Sequence, residues 1–158
     1  MNAIRSGSPK DESRAVTRDV LARWRSTAKP SIEARVLVVA WERSLVRYFE
    51  TFLTICGYRN VDTALSAAEA FRKAQACPPD VLIVMMLMPE ISGVDIAFRI
   101  SQQSECGVLF LTAANVEEPY FKDFLDGVKA EGCTCMALPL PFENMDLLTK
   151  LKLLAWRH

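Results

Sequence analysis

Five cysteines and one histidine are the side chains best suited to nucleophilic or metal chemistry. The cysteines are Cys56, Cys77, Cys106, Cys133 and Cys135. The pair Cys133 and Cys135 suggests a metal-binding site, but the chain has no CxxC pair and its one histidine is the terminal His158. We therefore expect no metal site and no Cys/His or Ser/His enzyme. An odd number of cysteines among apolar neighbours predicts reduced thiols in a cytoplasm, with Cys77 the most exposed.

A second candidate for chemistry is the stretch 80–93, DVLIVMMLMPEISG, which begins as a buried strand and ends in a turn. Its spacing is typical of a reactive loop, yet Met85 stands where a carboxylate would be needed. We interpret the run from Met85 to Met88 as core and loop packing, because no histidine is nearby to support a soft-metal site. Glu42 and Thr112 are the polar residues at two other strand ends. We expect Glu42 to be an acid at a helix start and Thr112 to bond within the loop after its strand.

The elements that must position these residues alternate regularly from residue 34 onward. Short β-branched runs predict buried strands, and apolar stripes with N-cap signals predict helices. The expected strands are 35–40, 60–64, 81–85, 107–112 and 133–138, and the expected helices are 43–56, 66–76, one from 92, 115–131 and 143–156. Such an order predicts an α/β fold, a doubly wound five-stranded parallel sheet with helices on both faces. Binding or chemistry then belongs at the carboxyl ends of the strands.

The first 31 residues form an extension, with a predicted helix over about 9–27 that would dock on the main domain, 32–158, or mediate a homodimer. Residues 1–30 carry about +4 and residues 31–158 about −4. A mildly acidic folded part argues against a nucleic-acid partner. No apolar run reaches the ~18–20 residues that cross a bilayer, and no secretion signal is present, so we expect a cytoplasmic protein.

Four segments in this order resemble a known family, the receiver domain of bacterial response regulators. They are RVLVVAWERSLVRYFETFLTICGY, PPDVLIVMMLMPEISGVDIAFRI, VLFLTAAN and LPLPFENMDLLTKL, and the resemblance covers 34 to about 155. It implies a switch module of two-component signalling, which takes a phosphoryl group from a histidine kinase onto an aspartate beside a magnesium ion. Mg²⁺ requires hard oxygen ligands, and the transfer requires a carboxylate nucleophile.

At most of the positions where the family has its functional residues, this chain has residues of other types. The acidic pair that ends the first strand falls at Ala40 and Trp41, so that only the following Glu42 is acidic. The phosphate-accepting aspartate falls at Met85, and the lysine before the last helix falls at Leu140.

Two further positions complete the comparison with the family. The hydroxyl residue is kept as Thr112, and the aromatic residue that often moves on activation falls at Ala137. We interpret the whole as a degenerate site that cannot be phosphorylated, sealed by an apolar plug in which the Trp41 indole fills the vacated pocket. We expect no cofactor.

The resemblance also suggests where partners bind. Tyr120, Phe121 and Phe124 lie on the fourth helix of the main domain, and receivers commonly bind partners and dimerise through that side. An aromatic residue left exposed there would contact a histidine kinase or another regulator. The alternative function is a flavodoxin-like small-molecule or cofactor binder, although the turn AWERS lacks the glycine that such sites use. A transcription factor would need a second domain, and we expect none after residue 158.

Overall fold

A central sheet of five strands organises the part of the chain that the computed structural model describes, residues 31–155. A short 3-10 turn, Ser31–Glu33, leads into the first strand. The strands are β1 Arg35–Val39, β2 Asn60–Ala64, β3 Val81–Met85, β4 Gly107–Thr112 and β5 Thr134–Pro139. Each predicted strand is found with its ends within one residue of the expectation, because continuous apolar β-branched runs flanked by turn residues leave few other choices.

All strand pairs in this sheet are parallel, and the strand order is β2-β1-β3-β4-β5. The three central strands are buried on both faces, which explains why they consist mostly of valine, leucine and isoleucine. The predicted doubly wound α/β architecture is confirmed.

Five helices connect the strands. They are α1 Arg43–Ile55, α2 Ala67–Ala76, α3 Gly93–Gln103, α4 Pro119–Ala130 and α5 Asn144–Ala155. The predicted N-caps of α2 and α3 are present, since the Ser66 hydroxyl accepts from the Glu69 N–H and the Ser92 hydroxyl from the Asp95 N–H, both at 3.1 Å.

The predicted start of α4 at residue 115 is wrong. The Asn115 side chain accepts from the Glu117 N–H at 3.0 Å, which closes a local turn. The helix begins only at Pro119, whose fixed φ suits a first helical position. A short polar side chain that bonds its own neighbouring backbone competes with helix formation, and here it delays the helix by one turn.

The sheet separates two apolar cores. The helices α2, α3 and α4 cover one face, where Ala70, Ile96 and Val128 pack with Phe110. The helices α1 and α5 cover the other face. Their buried residues are Phe49 and Leu53 from α1 and Leu147, Leu151 and Leu154 from α5.

The apolar stripe of α5 is rotated from the predicted one. Met145 was expected to share the stripe with Leu148, Leu151 and Leu154, but it is 67% exposed, whereas Leu147 is fully buried. Leu147, Leu151 and Leu154 follow one another at spacings of four and three and fill the space against the sheet. Met145 is two residues before Leu147 and therefore lies on a different side of the helix.

The predicted extension 1–31, with its helix over 9–27, lies outside the described residues except for Ser31, as does Trp156 at the end of the last predicted helix. Within residues 31–155, none of the helices is both long enough and apolar enough to pass through a lipid bilayer.

Candidate functional site

The carboxyl edge of the sheet brings together four of the six predicted site positions. Val39 pairs with Val84, which sets Ala40 beside Met85 at the ends of β1 and β3. Met85 pairs in turn with Leu111, so that Thr112 follows on the next strand. Thr112 pairs with Pro139, and Leu140 comes directly after β5. Parallel strands end at a common edge, and this is how residues spread over 100 positions of sequence converge.

The turn after β3 holds Met85 in a defined position. The N–H of Met86 donates to the Leu111 carbonyl at 2.9 Å, and the N–H of Gly93 donates back to the Met86 carbonyl at 2.8 Å. A side chain at Gly93 would strike the Met85 carbonyl oxygen, since a Cβ there would lie 1.9 Å from it. The glycine therefore lets α3 start against the end of β3.

Thr112 is buried, and its hydroxyl serves the loop that follows β4. The Oγ1 accepts from the Ala114 N–H at 3.0 Å, which confirms the expectation that this side chain bonds within its own loop. The Thr112 carbonyl accepts from the Leu140 N–H at 2.8 Å. The backbone bond ties Leu140 to the end of β4, one strand away from Met85.

The predicted role of Trp41 as the filling of the pocket is wrong. Ala40 is fully buried, but the chain bends at Trp41 to enter α1, and half of the Trp41 surface, 50%, stays exposed. Met85 and Leu140 are instead the side chains at this edge that pack onto the core of the α1 and α5 face. Flexible aliphatic chains fill irregular space with less strain than a rigid indole, so the apolar packing forms without the tryptophan.

Glu42 is exposed and stands at the N-cap of α1. Its carbonyl accepts from the Val46 N–H at 3.1 Å, while its carboxylate makes no capping bond. The negative charge lies at the positive end of the helix dipole, in agreement with the expected helix-start role.

An aromatic cluster beside this edge was not predicted from the sequence. Tyr48 stacks on Phe52 with ring centroids 5.8 Å apart, and Phe49 stacks on Phe142 at 5.4 Å. The Tyr48 hydroxyl also hydrogen-bonds the Asn144 side chain at the start of α5. Helical spacing places three of the rings on one side of α1, but nothing in the sequence pairs them with Phe142, which is 90 or more residues away.

Ala137, at the position where the family pattern has an aromatic residue, is bonded through its backbone to a lysine of the last helix. The Lys150 ammonium of α5 donates to the Ala137 carbonyl at 3.0 Å. The bond links the last helix to β5 next to the candidate site.

The chemistry available at the edge is poor in oxygen. Ala40, Met85 and Leu140 offer methyl, thioether and isobutyl groups, and Thr112 already uses its hydroxyl. Glu42 is the one carboxylate among the six positions, and within residues 31–155 no group of three or more His, Cys, Asp or Glu side chains is placed to hold a metal ion. Mg²⁺ is bound in proteins by hard oxygen ligands, usually carboxylates, so the residues present do not fit it.

The predicted partner-binding aromatics divide into two kinds. Tyr120 is 65% exposed and Phe124 is 43% exposed, whereas Phe121 is only 5% exposed and belongs to the core. Tyr120 and Phe124 are four residues apart on α4 and therefore share one side of the helix. Acidic residues flank them in the sequence, including Glu117, which pairs with Lys122 at 3.5 Å.

Comparisons with known proteins agree on one family. A family model described as "Response regulator receiver domain" matches residues 36–134. The response regulator ArlR of Staphylococcus aureus is 33% identical over 79 residues, which cover 50% of this chain and 36% of that protein. The chain thus matches little more than a third of the length of this curated relative.

Solved structures give the same result over a longer stretch. The chemotaxis protein CheY4 of Vibrio cholerae is 30% identical with a TM-score of 0.67, and the match covers 77% of this chain and 98% of that one. A receiver domain protein from Clostridium thermocellum is 27% identical with a TM-score of 0.65, covering 77% and 94%.

Proposed function

The chain belongs to the response-regulator receiver domain family, and from this premise we propose that it is a receiver that relays its signal by protein binding without being phosphorylated. Receivers are generally non-catalytic modules of two-component signalling. The observation that carries the proposal is the side chain at the end of β3, where Met85 lies half-buried between Ala40 and Leu111.

Each missing group removes a different part of phosphoryl transfer. The Met85 thioether has no ionisable oxygen and cannot form an acyl phosphate. Ala40 and Trp41 offer no side-chain oxygen, so Glu42, an exposed residue, would be the one carboxylate available to Mg²⁺ among these positions. Leu140 supplies no cation to neutralise the charge on a phosphoryl oxygen.

The replacements are also mutually consistent. A single loss of the acceptor would leave two acids facing each other without a metal, a costly arrangement at a partly buried edge. Here the family's acidic positions and its lysine position all carry uncharged residues, and two of these, Met85 and Leu140, pack on the same core. The edge is stabilised as an apolar surface, and reversal would require several substitutions at once.

The proposed contact surface is the exposed side of α4 around Tyr120 and Phe124. Aromatic rings are enriched at the centres of protein interfaces, and charged residues are more typical of the rim around them. Phe121 is excluded from the surface, since it is buried. We propose a protein partner in a signalling pathway, a histidine kinase, another regulator or a second copy of the chain, and no nucleic acid.

The alternative of a flavodoxin-like cofactor binder has no observation in its favour. The turn after β1 carries Trp41 and Glu42 with no glycine to let a phosphate approach the backbone.

The deciding experiment is phosphorylation of the purified full chain with acetyl phosphate and Mg²⁺, followed by intact mass and beryllofluoride binding. We expect no added phosphoryl group and no beryllofluoride complex, with a phosphorylatable receiver treated in parallel as the positive control. Met85→Asp alone should remain unmodified, because Ala40, Trp41 and Leu140 still provide neither a metal site nor a cation. A stable phosphoryl group on any aspartate of the unaltered chain would refute the proposal.

A further inference from the structure

The strand β2 stands at one edge of the sheet. It is first in the strand order, so β1 pairs with one of its sides and no strand of residues 31–155 pairs with the other. The Ala64 carbonyl accepts from the Ala40 N–H of the chain after β1, at 3.2 Å. In a parallel pair, every second residue of an edge strand turns its backbone groups to the neighbour, and the residues between them turn theirs outwards. Val61 and Thr63 therefore direct their N–H and C=O groups away from β1.

Both outward groups of Thr63 are already bonded within the chain. The Thr63 N–H donates to Oδ1 of Asp62 at 2.8 Å. The Thr63 carbonyl accepts from the Lys73 ammonium of α2 at 2.7 Å. A strand that approached β2 from outside would need these same two groups, because a ladder between strands is made of backbone N–H and C=O groups.

Lys73 joins these bonds into one network. Its Nζ lies 3.0 Å from the same Asp62 Oδ1 and 3.4 Å from one carboxylate oxygen of Glu69. The other Glu69 oxygen accepts from the Leu65 N–H at 2.9 Å, directly after the end of β2. The hydrogen bond to Asp62 raises the pKa of Lys73 above its ordinary 10.5, although desolvation opposes the shift, so the ammonium stays charged at neutral pH.

An incoming strand would have to break this network before it gained a ladder bond at Thr63. The Lys73 ammonium would leave a carbonyl and two carboxylates, and hydrogen bonds to charged groups are stronger than those between neutral backbone groups. Within residues 31–155, the outward groups of Val61 have no side-chain partner. A single residue is too short a stretch for stable strand pairing.

We propose that Asp62, Glu69 and Lys73 form an edge guard, which keeps β2 from pairing with the β2 strand of a second copy of the chain. The strand is otherwise suited to pairing, because Val61 and Thr63 are β-branched. Two copies of one edge can pair antiparallel about a two-fold axis, which satisfies both edges at once. The edge guard shares no residue with the candidate site or with the aromatic surface of α4, so it is independent of the proposed function.

The experiment opens the edge in the full chain and measures the molar mass by light scattering. Asp62→Ala combined with Lys73→Met frees both outward groups of Thr63, keeps most of the aliphatic stem at position 73, and leaves the net charge unchanged. The mass should rise towards about twice that of the parent between about 10 μM and 1 mM. Asp126→Ala with Lys129→Met is the matched control, since both residues are exposed on α4, and it should keep the mass of the parent.

Adding Thr63→Pro to the double variant tests whether β2 is the interface. Proline lacks the N–H, and an edge strand accepts it where that N–H faces outwards. The triple variant should return to the mass of the parent. Self-association that persists would overturn the proposal, because it would occur through another surface.

Far-UV circular dichroism shows whether the variants are folded. A folded double variant that keeps the mass of the parent up to about 1 mM would overturn the proposal. If the double variant does not fold, Lys73→Met alone decides the question, because it frees the Thr63 carbonyl and leaves Asp62 in place. Its mass should then rise with concentration, and the mass of the parent at every concentration would refute the edge guard.

Discussion

The replacement of Gly93 by alanine tests how the turn after β3 is built. A Cβ at this position would lie 1.9 Å from the Met85 carbonyl oxygen and 2.8 Å from its carbon. Ordinary contacts between carbon and oxygen are no shorter than about 3.3 Å. The first turn of α3 or the end of β3 must therefore move by more than an ångström, and both are backbone.

Three effects set the magnitude of this substitution. Forcing a methyl group into a packed site costs about 1–3 kcal/mol, and at this separation we expect the upper end. Movement of α3 also weakens the 2.8 Å bond from the Gly93 N–H to the Met86 carbonyl, a loss of about 1 kcal/mol. Alanine is the better helix former, which returns less than about 1 kcal/mol. We expect Gly93→Ala to lower the free energy of unfolding by about 3 kcal/mol.

Gly127 is the matched control, because it is a helical glycine with an open surrounding. It lies inside α4, and a Cβ there would meet no atom within 4 Å. Gly127→Ala should stabilise the protein by about 0.5–1 kcal/mol, since alanine restricts the unfolded chain. The same chemical change is thus expected to have opposite signs at the two sites.

Urea unfolding followed by far-UV circular dichroism measures both variants, with the m-value as a check that the transition stays two-state. A Gly93→Ala protein within about 0.5 kcal/mol of the parent would contradict the reasoning, because it would mean that the chain relaxes around the methyl group at almost no cost. Destabilisation by Gly127→Ala would contradict the helical environment described for α4.

Three further predictions concern stability, each measured by urea unfolding. Ser66→Ala should cost about 1 kcal/mol, because it removes the N-cap bond to the Glu69 N–H; no loss would show that the cap is not formed in solution. Trp41→Ala should cost less than about 1 kcal/mol, because the side chain is half exposed. Phe49→Ala should cost about 3–5 kcal/mol, because that ring is fully buried. Equal losses of stability would show that the Trp41 indole is packed in the core after all. The hydrogen bond from the Leu65 N–H, with help from Lys73, lowers the pKa of Glu69 below its ordinary 4.5. The stability that this bond contributes is therefore present above pH 4.5 and is lost as the pH falls through the lowered pKa. Glu69→Gln should make stability depend less steeply on pH below 4.5, and an unchanged slope there would exclude the effect.

The fold could be predicted from the sequence because its determinants are local and agree with one another. The run 81–85 is β3 without a change of boundary, and Ser66 and Ser92 are the N-caps that their positions indicated. Thr112 bonds within its own loop as expected. Each of these features depends on residues within a few positions, where side-chain type and spacing decide the outcome.

The features that were missed depend on distant parts of the chain. The size of Trp41 suggested a filler for the pocket, but size does not say on which side of a bend a side chain lies. Phe142 packs against the rings of α1 through tertiary contacts, and the spacing of apolar residues in the sequence does not predict such contacts. In α5, the choice between Met145 and Leu147 as the core residue depended on where the helix meets the sheet.

The aromatic cluster of Tyr48, Phe49, Phe52 and Phe142 has a consequence for the last helix. Its rings pack α1 against the segment that precedes α5, and the Tyr48 hydroxyl also hydrogen-bonds the Asn144 side chain. The opening of the final helix is therefore anchored by a residue from near the beginning of the domain. Deleting α5 would expose the core under α1 and α5 to solvent, together with the aromatic rings of α1. The shortened chain should therefore aggregate and not fold as a smaller domain.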